Sequence, residues 1–157
     1  IYTIAHCGDY NYFSFKGMRS KGNNELHVTS THYDDQIALD LVRGSQRTVA
    51  IHGCEGNESV AYIGGSDDRL IELITESLED IGISVREAPH HISGTQENNI
   101  VNMTQTQGGV QLELTAQLRK ELFKNRKSSR KNRENKDNWD DLMYDFADAM
   151  KKAIERA

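Results

Sequence analysis

Thr48-Val49-Ala50-Ile51-His52-Gly53-Cys54-Glu55-Gly56-Asn57-Glu58 decides how the chain folds. Thr48 to Ile51 is a short β-branched and apolar run of the kind that fits a buried strand. His52 follows, and Gly53 and Gly56 then open the strand into a tight loop. In open α/β sheets, ligands bind at the carboxyl ends of strands, where this imidazole is placed. Histidine is also the commonest nitrogen ligand for zinc. Two readings stand at this point. His52 either ends a strand with its ring bonded to backbone, or serves a site.

Working outward, short strands alternate with helices. Asp9 to Lys16 is aromatic-rich and Leu26 to Ser30 is β-prone, so both read as strands. Asp34 or Asp35 caps a helix through Ile37, Leu39, Leu41 and Val42, which Gly44 stops. Val60 to Ile63 is a strand closed by Gly64-Gly65. Asp67 caps the clearest helix, with Leu70, Ile71, Leu73, Ile74, Leu78 and Ile81 at helical spacing and Gly82 ending it. Ile83 to Arg86 is a further strand, broken by Pro89. The polar connection from Pro89 to Gly109 is long for a compact domain, a length associated with function or disorder. Val110 to Thr115 alternates strictly, Ala116 to Phe123 is helical, and Trp139 to Ile154 forms an amphipathic closing helix. Together these predict an α/β fold with a mixed, mostly parallel sheet flanked by helices. The expected division is an α/β core over residues 1–124, then a basic linker and closing helix over 125–157 packed on that core.

The totals narrow the function. A chain of 157 residues with 27% charged and 36% hydrophobic side chains can bury one core. No apolar run approaches the ~20 residues of a membrane span. The opening residues lack the basic and apolar regions of a signal peptide, and there is no initiator Met. The net charge of −5 conceals a basic stretch, Arg119 to Lys136, holding nine of the nineteen Lys and Arg residues. Such a run is either a solvated surface or an attractor of anionic polymer. Without interleaved aromatics or a nucleic-acid motif, nucleic acid is the weaker partner. Cys7 and Cys54 have no metal-type spacing and read as free thiols. No GxGxxG or P-loop is present, which argues against a nucleotide cradle.

Six histidines, His6, His27, His32, His52, His90 and His91, are available for chemistry. His52 and Glu55 make a His-x-x-Glu spacing that could bring two ligands to one zinc, although such short patterns also arise by chance. Glu58 lies further along the same loop. In Gln111-Leu112-Glu113-Leu114, parity puts Gln111 and Glu113 on one face. They either face water on a half-exposed strand or present Glu113 as a general base across a cleft. Adjacent His90 and His91 point apart in extended chain, so one at most reaches a common centre.

Five segments in order, Asp9 to Gly17, Leu26 to Asp34, Ile51 to Cys54, Gly64-Gly65 and Gly109 to Leu114, resemble the poly-γ-glutamate hydrolase family of bacilli and their phages. That resemblance implies a zinc-carboxypeptidase-like fold, zinc as cofactor and hydrolysis of γ-glutamyl amide bonds in an anionic polymer. It implies His52 as the third zinc ligand and Glu113 as the catalytic base, with Glu55 then a coincidence. The family's earlier His-Gly-Gly-x-x-Glu segment, which supplies two ligands, has no counterpart here. The resemblance therefore implies an amino-terminally incomplete chain or a form that has lost its metal. Many relatives read Asn-Arg where this chain has Asn102-Met103, which takes a substrate-binding cation from that position. The rival expectation is a metal-free module that keeps the fold and holds polyanion through Arg119 to Lys136.

Overall fold

Strict alternation in Val110 to Thr115 produces the central strand, and every one of its six residues is buried. The computed structural model describes residues 1–157, the side chain of Asn24 excepted. Four strands form one sheet: β1 (Val49–Cys54), β2 (Val60–Gly65), β3 (Ser84–Glu87) and β4 (Val110–Thr115), in the order β1-β4-β2-β3. β1 runs parallel to β4, and β3 parallel to β2, while β2 and β4 are antiparallel. The sheet is thus mixed and mostly parallel, as the alternation of strands and helices predicts.

Each strand sends alternate residues to opposite faces. Leu112, Leu114, Ala61 and Ile63 point to the core, where they meet Leu70, Leu73, Ile74 and Leu78 of α3 (Asp68–Glu79). Asp67 starts α3 by accepting from the Leu70 amide at 3.0 Å, and its other oxygen pairs with Arg47 at 2.9 Å. Phe146, Ala149, Met150 and Ala153 of α6 (Asp141–Glu155) close the same layer against α3. Burying each large apolar side chain contributes about 1.5–3 kcal/mol, so this layer fixes the sheet. α2 (Gln36–Arg43) is capped by Asp35, whose carboxylate accepts from the Ala38 amide at 3.0 Å. No helix is long and apolar enough to cross a membrane.

Three expectations fail. Residues 9–16 and 26–30 are not strands; the chain there is irregular, with short 3-10 turns at Asn23–Leu26 and Ser30–His32. Aromatic and β-branched content supports a strand only where a neighbouring ladder exists, and these segments have none. They line a cleft together with β1, with Phe13 and Tyr33 packed edge to face at 6.2 Å. Before them, Tyr2–Gly8 forms a short helix, α1, which lacks a side-chain cap and packs on α6. Third, β1 is not a buried strand. It is the edge of the sheet, and among the described residues nothing pairs with its outer side.

Candidate functional site

The register places His52 opposite Glu113, Glu113 opposite Tyr62, and Tyr62 opposite Arg86. Cross-strand partners share a face, so these four side chains form one polar row across the sheet, opposite the apolar core. His52 lies at the fourth of six residues in β1, short of the strand's end. Glu113 belongs to the central strand and is only 7% exposed. The half-exposed strand is therefore not what carries Gln111 and Glu113: both are buried, Gln111 under polar chain.

That cover is the long connection before β4, which the structure orders through side-chain hydrogen bonds. Gln111 donates to the Ile92 carbonyl at 3.1 Å and to Glu113 Oε1 at 3.3 Å, while its Oε1 accepts from Asn99 at 3.1 Å. Asn102 donates to the carbonyls of Gly94 and Gln96 at 2.7 and 2.9 Å and accepts from Ser66 at 2.8 Å. Thr104 closes the end of the loop on the Gly108 carbonyl at 2.7 Å. Gly64, beside Gln111, is required by contact: a Cβ there would lie 2.0 Å from the Ser93 carbonyl oxygen.

Arg119, from α4 (Ala116–Glu121), locks the upper end of the row. Its Nε donates to the Leu114 carbonyl at 3.1 Å and its Nη2 to the Cys54 carbonyl at 2.9 Å. One guanidinium thereby ties the carboxyl ends of β4 and β1 together, beyond the ladder that pairs His52 with Glu113. Gly53 is the residue that lets it lie there, since a Cβ would come within 2.8 Å of the guanidinium carbon.

Electrostatics separate the two groups. Burial pushes the Glu113 carboxyl above its ordinary value, opposed by the Gln111 hydrogen bond and the charge of Arg119. The His52 residue meets solvent along the strand edge, yet its ring is packed closely enough that burial, and next the charge of His27, lower its pKa. A neutral imidazole beside a carboxyl of raised pKa is a ligand-plus-base arrangement. Cys54 follows His52 on the same face; burial and then Glu113 push its thiol up, opposed by the charge of Arg119. Cys7 is also a free thiol.

Other candidates lie apart. Glu55 is exposed in the turn after β1, and His90 and His91 are exposed in a 3-10 turn over His90–Ile92. Glu58 is engaged by Arg86 at 2.7 Å. A catalytic zinc takes three protein ligands. Among the described residues no group of three or more His, Cys, Asp or Glu side chains gathers to hold a metal ion. His52 is one nitrogen donor toward such a set, and these residues do not complete it. His52 also rims a cleft of about 680 Å³ that runs along the open edge of β1, lined by Val49, Ile51, Phe13, Tyr33 and Val101 among others. Sequence reasoning missed Tyr62 and Arg86, because only the strand register shows that they share the row.

A family model described as poly-gamma-glutamate hydrolase matches residues 1–149. The SPbeta prophage-derived UPF0714 protein YoqZ of Bacillus subtilis (strain 168) is 36% identical over 116 residues, which are 73% of this chain and 42% of that protein. The UPF0714 protein YmaC of the same organism is 31% identical over 155 residues, 94% of this chain and 62% of its own. The chain spans about half the length of the curated relatives it matches. Among solved structures, a bacteriophage poly-gamma-glutamate hydrolase superposes with a TM-score of 0.92 at 30% identity, covering 99% of this chain and 74% of that one. A zinc-free apo structure of YndL gives 0.83 at 27% identity, covering 98% and 76%. With the matched family model extending over nearly the whole length, the chain belongs to the poly-gamma-glutamate hydrolase family.

Proposed function

We propose that the protein of which these residues form part is a zinc-dependent amidohydrolase that cleaves γ-glutamyl amide bonds of poly-γ-glutamate. The observation that carries this reading is the pairing of His52 with Glu113 on the one polar face of the sheet, in a member of this family. His52 contributes a neutral nitrogen as one zinc ligand. The described residues gather no further ligands around it, and it lies on the open edge of the sheet. The zinc-free form of YndL supports zinc as the family's metal. When bound, zinc supplies Lewis-acid polarisation of the scissile carbonyl.

Glu113 takes the proton of the attacking water and returns it to the departing amine. Burial suits the carboxylate to both steps, because a raised pKa makes it a better base in one and a usable acid in the other. Gln111 and its partners hold the carboxylate in a single orientation. The test is hydrolysis of poly-γ-glutamate by the longer protein, before and after chelation and again after zinc is restored. Loss on chelation and recovery with zinc support the reading. Unchanged chain-length distributions throughout would overturn it.

A second reading keeps the fold without the metal, as a module that holds anionic polymer through Arg119 to Lys136. What favours it is that basic stretch itself, which holds nine of the nineteen Lys and Arg residues. Retained polymer binding with no hydrolysis at any zinc concentration would select it.

A further inference from the structure

Beyond the His52–Glu113 pair, the polar row continues through Tyr62 to Arg86, whose ion-pair partner is an exposed acid. The Arg86 guanidinium meets the Glu58 carboxylate at 2.7 Å, and the two side chains are 51% and 70% exposed. Glu58 does not drift there. Thr115 Oγ1, buried in β4, donates to the Glu58 carbonyl at 2.7 Å and fixes the turn that carries it. Tyr62 stands between Arg86 and Glu113, one strand from each. The result is a cation, at the end of the row, that is held ready by an internal carboxylate in open solvent.

We propose that Arg86 binds a free α-carboxylate of a γ-linked glutamyl chain lying along this row, with Glu58 as the internal carboxylate it displaces. The inference rests on the poly-γ-glutamate reading of the site and adds a specificity-determining residue to it. The spacing matches the polymer. Arg86 is two strands from Glu113, about 10 Å at ordinary strand separation. A γ-linked glutamyl repeat has five backbone bonds and spans roughly 6 Å when extended, so the α-carboxylate one to two repeats from the scissile amide reaches the guanidinium. An α-linked chain repeats at only about 3.5 Å and carries its carboxylates on flexible side chains, so it does not keep that register. Arginine suits the task because its planar fork accepts a carboxylate bidentately. An exposed Arg–Glu pair contributes little stability of its own, so exchanging one carboxylate for another is easy.

The test is calorimetric titration of the 157-residue chain with a defined γ-linked glutamate oligomer at low salt, comparing the parent with Arg86→Ala, Arg86→Lys and Glu58→Gln. Thermal melts confirm that each variant is folded. The proposal predicts that Arg86→Ala weakens binding about tenfold or more, the loss of one charge-assisted contact. Arg86→Lys should recover part of it, and Glu58→Gln should bind more tightly than the parent because the competitor is neutralised. An oligomer whose α-carboxylates are amidated should bind parent and Arg86→Ala alike. Equal binding of the acidic oligomer by parent and Arg86→Ala would overturn the role of Arg86 alone. No binding of that oligomer by the folded parent would overturn the polymer reading together with it.

Discussion

His52 and Glu113 are direct cross-strand partners in the parallel ladder of β1 and β4, on the face of the sheet turned away from the core. Their alignment belongs to a six-pair ladder from Val49–Val110 to Cys54–Thr115, and Arg119 bonds the Cys54 and Leu114 carbonyls at its carboxyl end. That guanidinium lies against Gly53, where a Cβ would come within 2.8 Å of it. Gly53→Ala should displace the guanidinium from these carbonyls and cost about 0.5–1.5 kcal/mol, the net worth of a hydrogen bond. Urea denaturation checks it. A variant as stable as the parent would show that Arg119 is not clamped there.

Glu113 should oppose folding at neutral pH. Its pKa in the folded chain is raised by burial, so the native state holds this proton more tightly than the unfolded state. The associated stability is complete below the unfolded carboxyl value, about 4.3, and is lost as pH rises through the higher folded value. Glu113→Gln, which keeps the acceptor for Gln111, should therefore raise Tm at pH 7 and approach the parent below about pH 4. Melting curves across pH decide this. A lower Tm for the variant at pH 7 would contradict it.

Gln111 ties the loop over the row to the strand beneath it, with partners at Asn99, Ile92 and Glu113. Gln111→Leu leaves those groups buried without their partner and should cost about 2–4 kcal/mol, above the price of one exposed hydrogen bond. Hydrogen exchange should lose protection first in residues 90–109. Unchanged protection there would show that the loop is held by Asn102 and Thr104 alone.

The basic stretch should act on an anionic polymer through the long-range field. Lys127, Arg130, Lys131 and Arg133 are exposed or half-exposed, and Arg130 also donates to the Met18 carbonyl at 3.3 Å. Neutralising the four should weaken poly-γ-glutamate binding in ~0.01 M salt, where the Debye length is about 30 Å, and change little in ~1 M, where it is about 3 Å. Identical affinities at low salt would rule out this role.

Which parts of this were legible beforehand follows from what the side chains need. The Asp67-capped helix, the alternation of β4 and the parity of Glu113 depend on local periodicity, and each is found as read. The resemblance carried by five ordered segments also led to the right family and fold. The stretches 9–16 and 26–30 misled because aromatic and β-branched residues suit any packed surface, and only a ladder makes them strands. β1 is only half-buried because it lies at the edge of the sheet, a position its own residues do not encode. The burial of Gln111 could not be read from β4, since its partners Asn99 and Ile92 lie in a loop whose composition is that of solvated chain. Arg86 and Glu58 come from separate segments, and only strand register brings them together beside Tyr62.

The most direct measurement of the central claim is poly-γ-glutamate hydrolysis, with bound zinc determined in parallel, for the longer protein and its Glu113→Gln and His52→Ala variants. Glu113→Gln keeps the shape of the site and removes the base, so zinc should remain at the parent stoichiometry while turnover falls by about 10²–10⁴-fold. His52→Ala should lose both metal and activity, since it removes a ligand. Hydrolysis by Glu113→Gln at the parent rate would contradict the account and leave Glu113 a buried carboxyl that orders the loop above it.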